Sequence, residues 1–258
     1  MGDIYRIYLE YCKHQVVLEP DNWDFKSNSN YTYMLEHNNF YHIGIKYYEC
    51  LMNKYGDIIN NNKEYIYNII KINDQYGKPE KHAFNDLECS PTSLKYILHS
   101  LLFYDFINKY HLNNLDIIEI GGGYGGLCFI MKKIFELLNV NVSSYTIFDR
   151  IEASLLQKKY LNNLNTEVNI CQIDNINNIK NNSVLISSYA FSEIPKNLQD
   201  QYIKEIFNPY IDYSFIVWNN IPVYNLNEDK YIINEELEYP QTSGGIIKNH
   251  YVYLIPKV

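Results

Sequence analysis

Over the first hundred or so residues, apolar positions recur at the three- and four-residue spacing of a single helix face. From Leu115 onward they gather into short runs separated by helical stretches. Asp3 to about Val17 reads as a short amphipathic helix stopped by Glu19-Pro20-Asp21-Asn22. Ser27-Asn28-Ser29-Asn30 offers N-caps for a longer helix from Tyr31, with Tyr33, Met34, His37, Phe40 and Tyr41 on one broad face. That helix is expected to continue to about Met52 or Tyr55, before Gly56. Glu64 to Ile72 forms another, followed by the turn-rich stretch Asn73 to Pro79. Ser90 then caps a helix with Pro91 in first position and Leu94, Ile97, Leu98, Leu101, Leu102 and Phe106 as its apolar stripe. The front of the chain is therefore expected to be helical.

Beyond Leu115 the rhythm is strand, helix, strand, helix. Strands are expected over Asp116–Ile120, Ser144–Phe148, Val168–Ile173, Val184–Ser188 and Tyr213–Trp218, and helices follow from Leu127, Ile151 and Pro195. Such alternation builds a parallel sheet with crossover helices. Two last strand-like runs, near Tyr231-Ile232-Ile233 and at Ile246 to Ile255, flank Gly244-Gly245 and predict an antiparallel hairpin. The expected fold class is α/β and Rossmann-like: residues 113–258 form a mostly parallel sheet closed by that hairpin, and residues 1–112 a helical extension.

The densest chemical signal is Asp116-Ile117-Ile118-Glu119-Ile120-Gly121-Gly122-Gly123-Tyr124-Gly125-Gly126, where an aliphatic run ends in an acid and a cluster of glycines before a helical pattern. Glycine permits positive φ and close approach of a ligand to the backbone, and the following helix turns free N–H groups toward the loop. Gly121, Gly123 and Gly126 satisfy the dinucleotide spacing G-x-G-x-x-G. Glu119, Gly121, Gly123 and Gly125 satisfy the E-x-G-x-G-x-G spacing of S-adenosylmethionine-dependent methyltransferases. Glu119 favours the second, since a carboxylate suits a cationic amino-acid moiety and has no role beside a pyrophosphate. Asp149, at the end of the next strand, can accept both ribose hydroxyls. Asp174 closes the third strand, where methyltransferases commonly hold the adenine amino group.

Composition narrows the partners. A formal charge of -8 without any Lys/Arg-rich run excludes a large nucleic-acid footprint. No apolar run reaches membrane-span length and no basic, hydrophobic leader is seen, so a cytoplasmic protein is expected. The 5 cysteines are scattered and unpaired in spacing, which implies reduced structural thiols and gives no metal motif. The 27 tyrosines, with abundant Asn, Ile and Lys, are the mark of an AT-rich genome and lower the weight of any Tyr cluster.

The chain resembles the sugar O-methyltransferase family within the Rossmann-like class I methyltransferases. The matching blocks are Asn30 to His37; Asn73-Asp74 with Gly77 and Pro79; Ser90 to Tyr96; Glu119 to Gly126; Ser188 to Glu193; and Glu238, Pro240, Thr242 and Asn249 in the tail. Asn38 stands where the family usually has Val, and the tail block matches loosely. The resemblance implies S-adenosyl-L-methionine as cofactor, held by Glu119, Gly121, Gly123, Tyr124, Gly125, Asp149, Arg150, Asp174, Ser188 and Tyr189. It also implies a sugar or nucleotide-sugar acceptor, contacted by Tyr33, His37, Glu238, Thr242 and Asn249, with residues 1–112 acting as a lid.

A sugar hydroxyl needs help to lose its proton. Glu193, just beyond the fourth strand, is the leading candidate base, and His250 in the last strand is the second. Dependence on a metal is left open. Aromatics of the N-terminal helices serve either a homodimer surface or the core. Three function classes stay open at this stage. They are a sugar O-methyltransferase (or an N-methyltransferase of an amino sugar), a nicotinamide-dependent oxidoreductase, and a non-catalytic methyltransferase-like module.

Overall fold

The computed structural model describes residues 2–35, 40–176, 179–223 and 226–257. These fall into two compact units interleaved along the chain. One comprises Met1–Tyr104, Gly123–Asn139 and Ile151–Glu167, and the other Asp105–Gly122, Val140–Arg150 and Val168–Val258.

The first unit is helical. It contains α1 (Gly2–Val17), α2 (Ser29–Leu35), α3 (Tyr41–Asn61), α4 (Lys63–Asn73), the hairpin β1 (His82–Phe84) and β2 (Leu87–Cys89), and α5 (Pro91–Lys109, counted here through Tyr104). It also holds α6 (Gly126–Leu137) and α7 (Ile151–Asn163). Ser90 caps α5 as expected, its Oγ accepting the Ser93 N–H at 3.2 Å. The core is aromatic. Trp23, Phe25, Tyr31, Tyr124 and Tyr160 are fully buried, with Phe25 and Tyr124 at 5.2 Å and Tyr124 and Tyr160 at 5.1 Å between ring centres. Each such pair contributes about 0.5–1.5 kcal/mol beyond its area. α1 lies along α7, where the Lys159 ammonium caps its end by donating to the Val16 and Leu18 carbonyls.

Two expectations are corrected in this unit. The long helix from Tyr31 is two helices, α2 and α3. Gly56 does not end α3; the break lies one residue earlier, as a kink at Tyr55 (φ -126°, ψ 18°), and the helix resumes to Asn61. The front is also not wholly helical. Asn85 takes φ 53° in a two-residue turn, pairing Phe84 with Leu87 and burying both side chains.

The second unit is a seven-stranded sheet in the order β5-β4-β3-β6-β7-β9-β8. Its strands are β3 (Leu115–Ile120), β4 (Val142–Phe148), β5 (Asn169–Cys171), β6 (Ser183–Ser188), β7 (Ile211–Trp218), β8 (Tyr231–Leu237) and β9 (His250–Pro256). β3 to β7 are parallel, while β9 runs antiparallel to both β7 and β8. This is the expected Rossmann-like arrangement, a mostly parallel sheet closed by an antiparallel hairpin. The chain leaves β3 toward β4 and β5, then returns to build β6 and β7 on the other side. The strand order therefore reverses between β3 and β6, where open α/β sheets leave a crevice at the carboxyl ends. Ile118, Phe148, Leu185, Ile216 and Val252 anchor the core with Phe191, Ile206 and Phe207 from the helices α8 (Ala190–Glu193) and α9 (Lys196–Tyr202) and the turn after them. That turn, Ile203–Phe207, has π geometry: the Asn208 N–H reaches back to the Ile203 carbonyl just before Pro209, which has no N–H to give, and α10 (Asn208–Tyr210) follows.

Candidate active site

In the sheet unit, the predicted cofactor acids stand at the crevice. Glu119 pairs in register with Ile147 of β4 and Ile186 of β6, so it lies one residue inside the carboxyl end of the central strand. It is 1% exposed and accepts a hydrogen bond from the Tyr145 hydroxyl at 2.8 Å. Burial pushes its carboxyl up to about 8; the neighbouring Asp149 charge adds to the rise and the Tyr145 hydrogen bond opposes it. A buried acid in this state gains most from a cation placed beside it, and an anion there would be repelled as it ionised.

Asp149 follows Phe148, the partner of Ile120, and is half-buried with its Oδ1 accepting the Arg150 N–H at 2.8 Å. The Arg150 side chain is exposed. Gly121 lies between them, its N–H on the Phe148 carbonyl at 2.9 Å and its φ at 77°. A Cβ there would collide with that of Ala190, the first residue of α8, so position 121 needs glycine on both conformational and steric grounds.

In the helical unit, Gly123 and Gly125 also take positive φ, 56° and 96°, ahead of α6. The Tyr124 side chain turns into the core at 1% exposure, leaving only its backbone for a ligand. Its hydroxyl receives the Asn73 amide at 3.1 Å, and the Lys26 ammonium sits 4.3 Å from its ring centre while donating to the Asn73 carbonyl. Asn73 Nδ2 also reaches Ser93 Oγ at 2.8 Å, and Tyr160 donates to Asn73 Oδ1 at 2.8 Å. Asp74 accepts from Ser90 N at 2.6 Å and from the Ser90 and Ser93 hydroxyls at 2.7 Å each. Gln157 fastens the Gly123 carbonyl at 3.0 Å. Sequence reading quoted Asn73, Asp74, Ser90 and Ser93 without assigning them this work.

Beyond β6, Ser188 is half-buried at the strand end and Tyr189 follows with φ 66° and ψ -33°. The structure joins Tyr189 to three residues predicted for the acceptor. Its hydroxyl donates to Glu238 Oε1, while Glu238 Oε2 accepts from Thr242 N (2.9 Å), Thr242 Oγ1 (2.8 Å) and Asn249 Nδ2 (3.0 Å). Glu238, Thr242 and Asn249 are 2%, 6% and 2% exposed, so this cluster is part of the interior and not an exposed hairpin edge. His250 opens β9, paired with Trp218 and Leu237, and among the described residues its buried Nδ1 has no hydrogen-bond partner, nor has Asn249 Oδ1.

The other predicted residues stand apart from this cluster. Glu193 is exposed and bound by the Asn219 amide. Asp174 lies in an exposed turn past β5, bonded to Gln201 at 3.2 Å. Tyr33 is 58% exposed on α2, and His37 lies outside the described residues. Among the described residues no group of three His, Cys, Asp or Glu could hold a metal, and no helix is long and apolar enough to cross a membrane.

No family model and no curated protein matches the chain. Solved structures resemble it at a distance. An S-adenosylmethionine-dependent methyltransferase from Aquifex aeolicus is 16% identical over 58% of this chain and 87% of that one, with a TM-score of 0.42. Another from Clostridium acetobutylicum is 11% identical over 61% and 73%, with a TM-score of 0.38. The CMeT domain of citrinin polyketide synthase is 14% identical over 65% and 54%, with a TM-score of 0.46. Likeness at this level carries no argument about chemistry, which rests on the residues themselves.

Proposed function

We propose that the chain is an S-adenosylmethionine-dependent O-methyltransferase acting on a hydroxyl of a sugar, whether free, nucleotide-linked or within a glycan. The observation that carries this reading is the buried Glu119 beside Asp149, at the carboxyl ends of adjacent strands and next to a glycine turn too narrow for any other residue. Glu119 is suited to the cofactor's amino group and Asp149 to its ribose hydroxyls. The Gly121 and Gly122 backbone lets the ligand approach, while Ser188 and Tyr189 border the methyl-bearing end. The cofactor supplies a methyl group on a cationic sulfur, and the chain must orient an acceptor oxygen in line with it and take its proton. The antiparallel closing hairpin and Glu119 both disfavour a nicotinamide cofactor. A sugar acceptor is supported by the sequence resemblance and by the polar residues Thr242 and Asn249 next to Tyr189.

The test is thermal unfolding of the full chain with S-adenosylhomocysteine and, separately, with NAD. At about a hundred times its dissociation constant, a bound ligand stabilises the folded state by roughly 2.7 kcal/mol. A raised melting temperature with S-adenosylhomocysteine alone is expected. A rise with NAD alone overturns the reading.

A further inference from the structure

We propose that the Tyr189 hydroxyl, backed by the Glu238 carboxylate, takes the proton from the acceptor hydroxyl, an assignment that rests on the function proposed above. Four observations within the sheet unit lead to it. Tyr189 is the first residue beyond β6, on the edge of the crevice opposite the glycine turn of β3. It is held at positive φ, a conformation unfavourable for a bulky residue and retained where surroundings impose it. The surroundings do so: Tyr189 N donates to the Val217 carbonyl at 2.8 Å, and its own carbonyl accepts from Ser192 N at 3.1 Å and Ser192 Oγ at 2.6 Å.

The second observation is the direction of the hydrogen bond. The phenol proton is directed at Glu238, and Thr242 Oγ1, 3.5 Å from the phenol oxygen, gives its own proton to Glu238 Oε2, so an incoming hydroxyl would meet the Tyr189 oxygen as an acceptor. Third, Glu238 is 2% exposed, and its donors among the described residues, Tyr189, Thr242 and Asn249, are all neutral. No cation is among those donors, and Glu238 Oε1 already receives the Tyr189 hydroxyl, so the geometry for passing a proton to it is in place. Fourth, Asn249 Oδ1 and His250 Nδ1 are buried beside it with no hydrogen-bond partner among the described residues, capacity that a second hydroxyl of a polyol would use.

The step balances. The acceptor oxygen bonds to the methyl carbon as the carbon–sulfur bond breaks, and that electron pair stays on sulfur. The acceptor proton moves to the Tyr189 oxygen while the Tyr189 proton moves to Glu238 Oε1. A positive sulfur and a negative carboxylate become a neutral thioether and a neutral acid, so the crevice ends with no separated charge. Glu193, by contrast, is exposed and accepts from the Asn219 amide. Tyr189 is thus the catalytic residue and Glu238 acts through it. The titratable neighbours are Tyr239, next along the chain, and His250 and Tyr251 of β9, Tyr251 donating to the Tyr239 carbonyl at 2.8 Å.

The experiment is a pH titration by carbon NMR of the full chain carrying Cζ-labelled tyrosine, with the Tyr189 signal assigned by Tyr189→Phe. The expected result is a titration step shared with Glu238 that vanishes in Glu238→Gln and persists in His250→Gln. Identical Tyr189 curves in wild type and Glu238→Gln overturn the proposal. On the same samples, calorimetry with S-adenosylhomocysteine should give Glu238→Gln an affinity within about threefold of wild type. With methyl glycosides and nucleotide sugars as acceptors, kcat should fall by about a hundredfold or more in Tyr189→Phe and in Glu238→Gln while KM holds. Turnover within twofold of wild type also overturns it. Failure of the wild type to bind S-adenosylhomocysteine would instead strike the cofactor reading, with the NMR result still deciding the pair.

Discussion

The two units each bury a cluster of the same kinds of side chain, an acid, an asparagine, hydroxyls and tyrosine, and the clusters end differently. Around Asn73 and Asp74 the polar atoms find partners: both carboxylate oxygens are met and the asparagine bridges Ser93, Tyr124 and Tyr160. Around Glu238 the carboxylate is met, but Asn249 Oδ1 and His250 Nδ1 are left over, and the tyrosine that completes the cluster is held at positive φ. A closed network fixes backbone, here that of Tyr124 between the glycines. An open one keeps hydrogen-bonding capacity for something that arrives from outside. Burial alone does not separate the two; the accounting of donors and acceptors does.

The largest effect that could break this contrast is in the closed cluster. Asp74→Ala strands three donors and should cost about 3 kcal/mol in urea unfolding; a loss below about 1 kcal/mol would mean the network is not what holds the helical unit.

Next comes Glu119, a buried acid whose folded-state value is raised from 4.5 to about 8. The folded state then holds a proton that the unfolded chain releases. The stability this group contributes is fully present below its unfolded value and is lost as pH rises through the folded value. Glu119→Gln should remove that decline and gain on the order of 2 kcal/mol near pH 8 without ligand, read from urea curves across pH. An unchanged slope would show that Glu119 is already ionised.

Smaller still is Asn249→Ala in the open cluster, expected to cost about 1 kcal/mol, since only its amide is engaged. A cost equal to that of Asp74→Ala would erase the distinction. Smallest is Glu193→Gln, which should leave turnover within about twofold in a methyl-transfer assay; a sharp fall would return the proton-accepting role to Glu193.

The local parts of the site were legible from sequence. The glycine turn, Glu119 and Asp149 lie within about thirty residues, and their places at the ends of β3 and β4 follow from strand-end spacing. The alternation after Leu115 likewise gave the sheet and its closing hairpin. What was not legible is long-range. The Asn73–Tyr124 bond spans 51 residues and the Tyr189–Glu238 bond 49, and no periodicity encodes such pairings. Tyr124 looked like a ligand contact from its place among the glycines, yet its ring packs against Phe25 and Tyr160. Glu193 looked catalytic from its position after β6; the helix it ends turns it toward Asn219 and water. The β1–β2 hairpin escaped because its strands are short, though Asn85-Asp86 between Phe84 and Leu87 is a turn signal.

The most direct measurement is calorimetric titration of S-adenosylhomocysteine into the wild type and into Asp149→Ala. One-to-one binding that weakens at least tenfold in the variant is the predicted result. No heat of binding to the wild type, or equal affinity in both, would contradict the placement of the cofactor at the ends of β3 and β4.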